Sequence, residues 1–295
     1  MCAGGDHMEL LQIKYFRVIA ETENISKAAQ QLYIAQPSLS QTLKRLEDEL
    51  GVPLFDRNGK KIALNKAGRI FLKYCNEITS CIENARLELE ELKGTETTDV
   101  NIEVRSASLL IPEIIKKLRE KNSRIMPHIF QSGCNDADLK IYSDISEHSG
   151  SSALLIREPM GIVVPEAHPL AHRPEIYRRD MEQYGFISLS PECSLYKIIS
   201  HFCENANFRP NISTYVDSPA LMRELLKMDI GAAFVPEYTW AKFFGDGLVF
   251  RYVSDMPMER FVHLAANENK YASVAVNSCR DTIMEYFAEY ARIFQ

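Results

Sequence analysis

The sequence predicts a multidomain α/β protein made of three consecutive parts. Residues 8–65 contain three short helical patterns followed by two short strand patterns around an Asn-Gly turn. Residues 66–93 carry one long heptad pattern. From residue 99 onward strand patterns alternate with helical ones, which is typical of a parallel or mixed sheet. We therefore expect a winged helix-turn-helix domain, a linker helix and a C-terminal α/β domain, with residues 1–7 as a disordered lead-in.

The first predicted helix covers residues 10–20, whose apolar side chains recur at helical spacing. The second covers residues 27–33, with Ser26 as its N-cap. The third begins at residues 36–37, where a proline suits the first helical turn, and ends near Leu50. Three short helices in this order predict a helix-turn-helix.

The third helix has one apolar stripe and one polar face. The stripe consists of Leu39, Leu43, Leu46 and Leu50. The polar face and the front of the helix form the candidate DNA-contacting set, which is Gln36, Pro37, Ser38, Ser40, Gln41, Lys44 and Arg45. Glutamine can hydrogen-bond adenine, and lysine or arginine can bind guanine or phosphate. The alternative is an ordinary amphipathic helix with a solvated polar face.

A hairpin follows this helix and adds basic residues. The predicted strands are residues 54–57 and 60–64, on either side of the Asn58-Gly59 turn. Arg57, Lys60 and Lys61 cluster at its tip, where they could contact phosphates or a narrow minor groove. The charge distribution agrees, because residues 9–66 contain nine Lys or Arg and seven Asp or Glu, although the whole chain carries a net charge of −6.

The N-terminal residues closely resemble those of the LysR-type transcriptional regulators. The matching runs are Phe16-x-x-Ile19-Ala20-Glu21, Ser26-x-Ala28-Ala29-x-x-Leu32, Ala35-Gln36-Pro37-Ser38-Leu39-Ser40-Gln41, and Arg45-Leu46-Glu47-x-Glu49-Leu50-Gly51-Val52-x-Leu54-Phe55-x-Arg57. The resemblance implies that Pro37, Ser38, Ser40 and Gln41 meet double-stranded DNA and that Arg57 serves the wing. The family often carries arginine where Gln41 stands, a departure that concerns the bases read and not the binding mode.

The heptad pattern of residues 66–93 predicts a dimerisation helix. Its two interleaved seam positions are Phe71, Ile78, Ala85 and Leu92, and Cys75, Ile82 and Leu89. A seam this regular suits a partner helix, and two DNA half-sites need a two-fold protein, so we expect a homodimer or homotetramer. The alternative is a helix lying on the core of its own domain.

The C-terminal part is predicted to be an effector-binding domain, residues 99–295. Its strand and helix patterns cover residues 100–104, 109–120, 151–156, 161–164, 186–189, 194–204, 212–216, 218–228 and 231–235. Residues 163–171, 217–218 and 229–236 resemble the effector domains of the same family, which are similar to periplasmic binding proteins (type 2). The resemblance implies one subdomain of about residues 99–165 and 263–295, a second of about 166–262, and a ligand cleft between them.

Helix N-termini facing that cleft supply the candidate effector contacts. They are Ser106, Ala107, Ser108, Ser194 and Ser218. Free N–H groups and the helix dipole there favour a small anionic effector, a carboxylate or phosphate. The alternative is that each serine is a plain N-cap. One departure from the family is expected nearby, because only residues 131–138 separate two strand patterns where the family has a crossover helix.

The remaining cysteine and histidine motifs raise two other classes of function, a thiol-redox sensor and a metal-dependent enzyme. Cys193 and Cys203 suggest a thiol-redox sensor, but a full helix between them would hold the sulfurs too far apart. His168 and His172 have metal-ligand spacing interrupted by Pro169. The chain has no G-x-S-x-G, P-loop or G-x-G-x-x-G motif, so we expect no catalytic site, no cofactor and no metal.

The expected setting is the cytoplasm. The seven cysteines are odd in number and contain no C-x-x-C pair, which argues against a secreted disulfide framework. No apolar run reaches the ~18 residues of a membrane span, and the N-terminus does not resemble a secretion signal. We therefore expect a cytoplasmic regulator without a membrane partner, which acts on DNA and alters the access of RNA polymerase when its effector binds.

Overall fold

The computed structural model describes residues 8–58, 61–93, 98–131, 133–134 and 136–294. The chain divides into two compact units, Met1–Leu89 with Asn269–Tyr271, and Glu90–Glu268 with Ala272–Gln295. The predicted lead-in, residues 1–7, lies outside the described residues. None of the helices within these ranges is both long and apolar enough to span a membrane.

The N-terminal unit contains helices and one hairpin. They are α1 (Leu10–Thr22), α2 (Ile25–Gln31), α3 (Gln36–Leu50), β1 (Phe55–Asn58), β2 (Lys61–Leu64) and α4 (Lys66–Leu92). The predicted cap of α2 is wrong by two residues. Asn24, not Ser26, is the N-cap, and its Oδ1 accepts a hydrogen bond from the Lys27 N–H at 3.0 Å. Asparagine caps as well as serine does, so the helix begins at the first suitable residue.

Three aromatic rings hold the N-terminal unit together. The ring of Phe16 on α1 lies 5.6 Å from that of Phe55 on β1 and 5.0 Å from that of Phe71 on α4. Gly68 lets α4 approach the chain before β1 closely, because a Cβ atom there would lie 2.1 Å from the Leu54 carbonyl oxygen. The start of α4 is thus part of this core.

The C-terminal unit has the following elements. They are β3 (Asp99–Val104), α5 (Ile111–Lys121), β4 (Met126–Phe130), β5 (Leu139–Asp144), β6 (Ala153–Pro165), α6 (Arg178–Met181), β7 (Gly185–Leu189), α7 (Ser194–Asn205), β8 (Asn211–Val216), α8 (Pro219–Lys227), β9 (Ala233–Pro236), β10 (Leu248–Arg251), β11 (Met258–Ala266) and α9 (Val274–Ala291). Short 3₁₀ turns cover Ser108–Leu110, Pro169–His172 and Ala241–Phe243.

A seven-stranded sheet runs through this unit in the order β10-β6-β11-β5-β3-β4, with β9 also paired to β6. A separate parallel pair joins β7 and β8. The two strands predicted at residues 151–156 and 161–164 are a single 13-residue strand, β6. The polar and proline residues 157–159 interrupt the apolar pattern but do not end the strand, since Glu158 is paired with Arg260 of β11.

Two hydrophobic cores lie on this framework. One packs α5 and α9 against β3 and β5, and includes Ile102, Ile141 and Phe287. The other surrounds β7 and β9, and includes Phe186, Phe234 and Trp240. The first half of β6 belongs to the first core and the second half to the second core. Strand β6 is therefore the continuous connection between the two.

The sequence predicts that the family's crossover helix is missing between β4 and β5, and the described residues of this segment form no helix. Strand β3 is parallel to both β4 and β5 and lies between them. The sheet face in this region is polar: Glu103 accepts hydrogen bonds from Arg105 at 2.8 and 3.0 Å and lies 3.5 Å from the Lys140 Nζ. Charged pairs on the sheet face replace the apolar contacts that a covering helix would need.

Candidate DNA interface and effector cleft

Helix α3 presents the predicted polar face outward. Its stripe of Leu39, Leu43 and Leu46 is almost completely buried. The exposed residues are Gln36, Pro37, Ser38, Gln41, Lys44 and Arg45. Ser40 is half-buried, and its Oγ accepts a hydrogen bond from the Gln36 Nε2 at 3.0 Å. Polar side chains of this length along one exposed helix face can reach base edges and phosphates.

The turn before α3 contains an exposed aromatic residue, Tyr33, that was not among the predicted DNA-contacting residues. Tyr33 is 95% exposed and has a left-handed backbone, with φ of 55°. Buried Ala28 and Ala29 allow α2 to pack closely beside α1 and α3. The signal in the sequence was the lack of glycine between α2 and α3, which forces another residue into the left-handed conformation.

The wing is a two-stranded hairpin in which Arg57 pairs with Ile62 and Asn58 pairs with Lys61. The Glu23 carboxylate accepts a hydrogen bond from the Leu64 N–H at 2.9 Å and so ties β2 to the end of α1. Lys60 lies outside the described residues, as do the side chains of Arg57 and Lys61. The basic tip of the wing stays a prediction.

The structure corrects the predicted seam of α4 at its N-terminal end. Cys75 is fully buried and Phe71 is half-buried, and both pack into the core of the N-terminal unit. The exposed apolar stripe instead follows Ile70, Tyr74, Ile78, Ile82, Ala85, Leu89 and Leu92. The first turns of α4 must cover the core of their own domain, so a different face remains free there for a partner.

Two buried serines mark the carboxyl ends of β3 and β5. Val104 of β3 is paired with Ile141 of β5, and Ser106 and Ser143 lie two residues further along. They are 6% and 8% exposed, and neither Oγ has a hydrogen-bond partner among the described residues. Such unpaired buried hydroxyls are uncommon and need an explanation. Ser106 is a predicted effector residue, whereas Ser143 was missed because it lies inside a strand pattern.

Helix α7 lies against β5, the strand that carries Ser143. Its N-cap residue, Cys193, makes no capping hydrogen bond through its side chain, and Ser194 is the first helical residue. The first N–H groups of α7 therefore have no side-chain acceptor, which suits an anion.

The other predicted effector residues differ in role. Ala107 is buried with φ of 57° and precedes the 3₁₀ turn that contains Ser108, so it shapes the backbone there. The Ser218 Oγ accepts a hydrogen bond from the Leu221 N–H at 3.4 Å. Ser218 is thus accounted for as the N-cap of α8.

A buried ion pair joins β6 to β11 where the two cores meet. The Arg260 Nε donates a hydrogen bond to the Glu158 carboxylate at 2.8 Å, and both side chains are at most 2% exposed. Glu158 also accepts hydrogen bonds from the backbone N–H groups of Tyr238 and Thr239. This pair could not be predicted from the sequence, because an Arg and a Glu 102 residues apart leave no local pattern.

The cysteines and histidines set aside in the sequence have structural roles. Helix α7 fills the interval between Cys193 and Cys203, and at ~1.5 Å per residue it separates their Cα atoms far beyond the ~7 Å of a disulfide. Burial raises the pKa of the Cys203 thiol to about 11, which disfavours the reactive thiolate. The His168 Nδ1 accepts a hydrogen bond from the Leu170 N–H at 3.2 Å. Within the described residues no group of three His, Cys, Asp or Glu side chains could hold a metal ion.

Comparison with known proteins agrees with both halves of this description. The family model for the bacterial regulatory helix-turn-helix protein of the lysR family matches residues 10–69. The LysR substrate binding domain matches residues 106–288. The HTH-type transcriptional regulator AlsR of Bacillus subtilis (strain 168) is 31% identical over 243 residues, which cover 78% of this chain and 80% of AlsR.

Solved structures confirm the predicted fold class. A full-length OxyR variant from Pseudomonas aeruginosa matches with a TM-score of 0.66 and 19% identity, over 94% of this chain and 95% of that one. The effector binding domain of QuiR in complex with shikimate matches with a TM-score of 0.53 and 22% identity, over 65% of this chain and 97% of that one. The two family models and the 31% identity to AlsR show that the chain belongs to the LysR family of transcriptional regulators.

Proposed function

We propose that this protein is a cytoplasmic homodimer or homotetramer that binds specific sites in double-stranded DNA and responds to a small anionic effector. It regulates transcription by changing the access of RNA polymerase to DNA, and it is not an enzyme. The homologues are transcriptional regulators, which supports a regulatory role without turnover of a substrate.

The DNA-binding part of the proposal rests on α3. Its buried leucine stripe fixes the orientation of the helix, so that Gln41, Lys44 and Arg45 all face outward. We assign base recognition to Gln41 and phosphate contact to Lys44, with Arg57 of the wing reaching the neighbouring backbone or minor groove. The exposed stripe of α4 supports pairing of two such domains, which a two-fold operator requires.

The effector part rests on the unpaired hydroxyls of Ser106 and Ser143. A buried hydroxyl without a partner costs about 1–3 kcal/mol, so two of them at one sheet edge favour a ligand that accepts their hydrogen bonds. Together with the uncapped N-terminus of α7 they offer several hydrogen-bond donors, which suits a carboxylate or phosphate. The shikimate complex of the related QuiR domain supports a small organic effector.

The effector acts by favouring one arrangement of the two cores. Strands β6 and β11 pass from one core to the other, and ligand contacts from both sides would stabilise the closed arrangement. The ligand shifts this equilibrium only by its difference in affinity between the two arrangements.

A thermal-shift screen of the full chain tests the effector proposal. The probes are small carboxylates, phosphates, amino acids and neutral aromatic metabolites, each with and without reductant. A ligand at a hundred times its dissociation constant adds about 2.7 kcal/mol of stability, which raises the melting temperature by a few degrees. For the cleft we expect shifts from carboxylates and phosphates, and none from neutral aromatic metabolites. A melting temperature that follows reductant and ignores every compound would instead support thiol-redox sensing by a cysteine of this chain.

A further inference from the structure

A second cavity lies in the C-terminal unit between α7, β7 and β8, with a volume of about 540 Å³. Neither Ser106 nor Ser143 lines it, so it is separate from the proposed effector site. Its volume is within the range of pockets that hold small organic molecules. The cavity is formed by the middle and the end of α7, whereas Ser194 lies at the first turn of that helix.

The walls of the cavity are aromatic. Phe186 and Phe234 are stacked at 5.0 Å between ring centroids, and Phe208 meets both rings edge-on at 6.4 Å. On the other side the rings of Tyr196 and Tyr215 lie 6.1 Å apart. The three phenylalanine rings are buried against one another and form the floor, whereas Tyr196 is half-buried and Tyr215 is exposed. The two tyrosine rings favour a flat aromatic guest, because aromatic pairs are stabilised beyond the area they bury.

The rim of the cavity carries two opposite charges. Glu204 at the end of α7 and Arg209 after it both line the cavity and are both exposed. Among the described residues neither side chain takes part in a hydrogen bond or an ion pair. A guest with only a carboxylate would face Glu204, and a guest with only an ammonium group would face Arg209. A guest that carries both charges satisfies both side chains.

We propose that this cavity is a binding site for an aromatic amino acid. The aromatic ring lies beside Tyr196 and Tyr215, the carboxylate pairs with Arg209, and the ammonium group pairs with Glu204.

Isothermal titration calorimetry of the full chain with L-phenylalanine, 3-phenylpropionate and phenethylamine tests this proposal. We expect L-phenylalanine to bind most tightly. Ser200→Trp fills the cavity and should abolish its binding, whereas Lys197→Trp, on an exposed position of the same helix, should leave it unchanged. Absence of binding by L-phenylalanine, L-tyrosine and L-tryptophan at millimolar concentration overturns the proposal.

Charge variants test the identity of the ligand. Arg209→Gln and Glu204→Gln should each weaken L-phenylalanine binding about tenfold. If 3-phenylpropionate binds as tightly as L-phenylalanine and Glu204→Gln has no effect, the ligand is not an amino acid. The double variant Ser106→Ala/Ser143→Ala separates the two sites. This double variant should still bind L-phenylalanine. If it loses L-phenylalanine binding while Ser200→Trp keeps it, the ligand binds in the cleft and the cavity is refuted as its site.

Discussion

Ser106 and Ser143 are two buried serines, each two residues beyond the paired Val104 and Ile141, and neither hydroxyl has a partner among the described residues. Side chains alternate along a strand, so Ser143 lies on the same side of β5 as Ile141, which belongs to the first core. The apolar side chains of this core on β5 are thus followed by the Ser143 hydroxyl, at a position where an apolar side chain would leave no polar atom unpaired.

Replacing these serines should separate stability from ligand binding. Ser143→Ala removes an unpaired polar atom, so the free energy of unfolding without ligand should stay unchanged or rise by up to about 1 kcal/mol. Effector affinity should fall about tenfold, measured by titration of whichever anion the thermal-shift screen identifies. Ser218→Ala is the control: loss of an N-cap should cost about 1 kcal/mol of stability and leave effector affinity intact. The opposite pattern would assign the cleft to other residues.

Gln41 and Arg57 should affect DNA binding in different ways. Gln41→Ala should relax the preference at one base position by about 1–3 kcal/mol, because a direct contact to a base edge is lost. Arg57→Ala should weaken binding to all sequences and lower the salt slope by about one, because a phosphate contact is lost. Selection of binding sites from random duplexes, followed by salt titrations, measures both effects. Glu49→Ala, exposed near the far end of α3, is the control. Wild-type behaviour of both variants would contradict the assignment.

The exposed stripe of α4 should control oligomerisation. Ile78→Glu with Ile82→Glu places two charges in a seam that excludes water, so dimer affinity should fall at least about tenfold. Sedimentation velocity over a concentration series measures this change. Lys73→Gln with Asn76→Glu changes the net charge by the same amount at exposed positions off the stripe and should leave the dimer intact. A dimer that survives the first pair of substitutions would mean that another surface holds the subunits together.

Local patterns predicted the helices of the N-terminal unit well, because α1 and α3 each have one apolar stripe that packs inward. They failed where distant residues decide the outcome. The heptad pattern of α4 includes Cys75 as a seam residue. In the structure Cys75 packs into the core around Phe16, and the heptad spacing alone cannot predict this contact. Ser143 and the Glu158–Arg260 pair were missed for the same reason. Their roles depend on strands that are distant in sequence and adjacent in the sheet.

The Glu158–Arg260 pair should be essential for the C-terminal unit. Arg260→Met leaves a buried carboxylate without its cation, which should cost about 3–5 kcal/mol in the free energy of unfolding, measured with urea. The double variant Glu158→Gln/Arg260→Met should recover part of this loss, because it contains no buried charge. Arg157→Met removes the solvent-screened ion pair with Glu259 on the same two strands and should cost far less stability than Arg260→Met. Equal losses for Arg157→Met and Arg260→Met would show that burial does not determine the effect.

His168 should make stability depend on pH in the mildly acidic range. Burial lowers the pKa of His168 below its ordinary value, and its Nδ1 is used as an acceptor for the Leu170 N–H. An unfolded histidine binds a proton below about pH 6.5, whereas folded His168 resists protonation, so its contribution to stability is present above that pH and is lost as the pH falls.

Comparison with His168→Asn measures this contribution. The Asn Oδ1 can accept the same hydrogen bond but does not titrate. Between about pH 7.5 and about pH 5.5 the wild-type protein should lose more stability than the variant, by at most about 1.4 kcal/mol per pH unit below the unfolded pKa. Thermal melts at a series of pH values give the difference. Parallel pH profiles for the two proteins would mean that His168 is protonated as readily in the folded protein as in the unfolded chain.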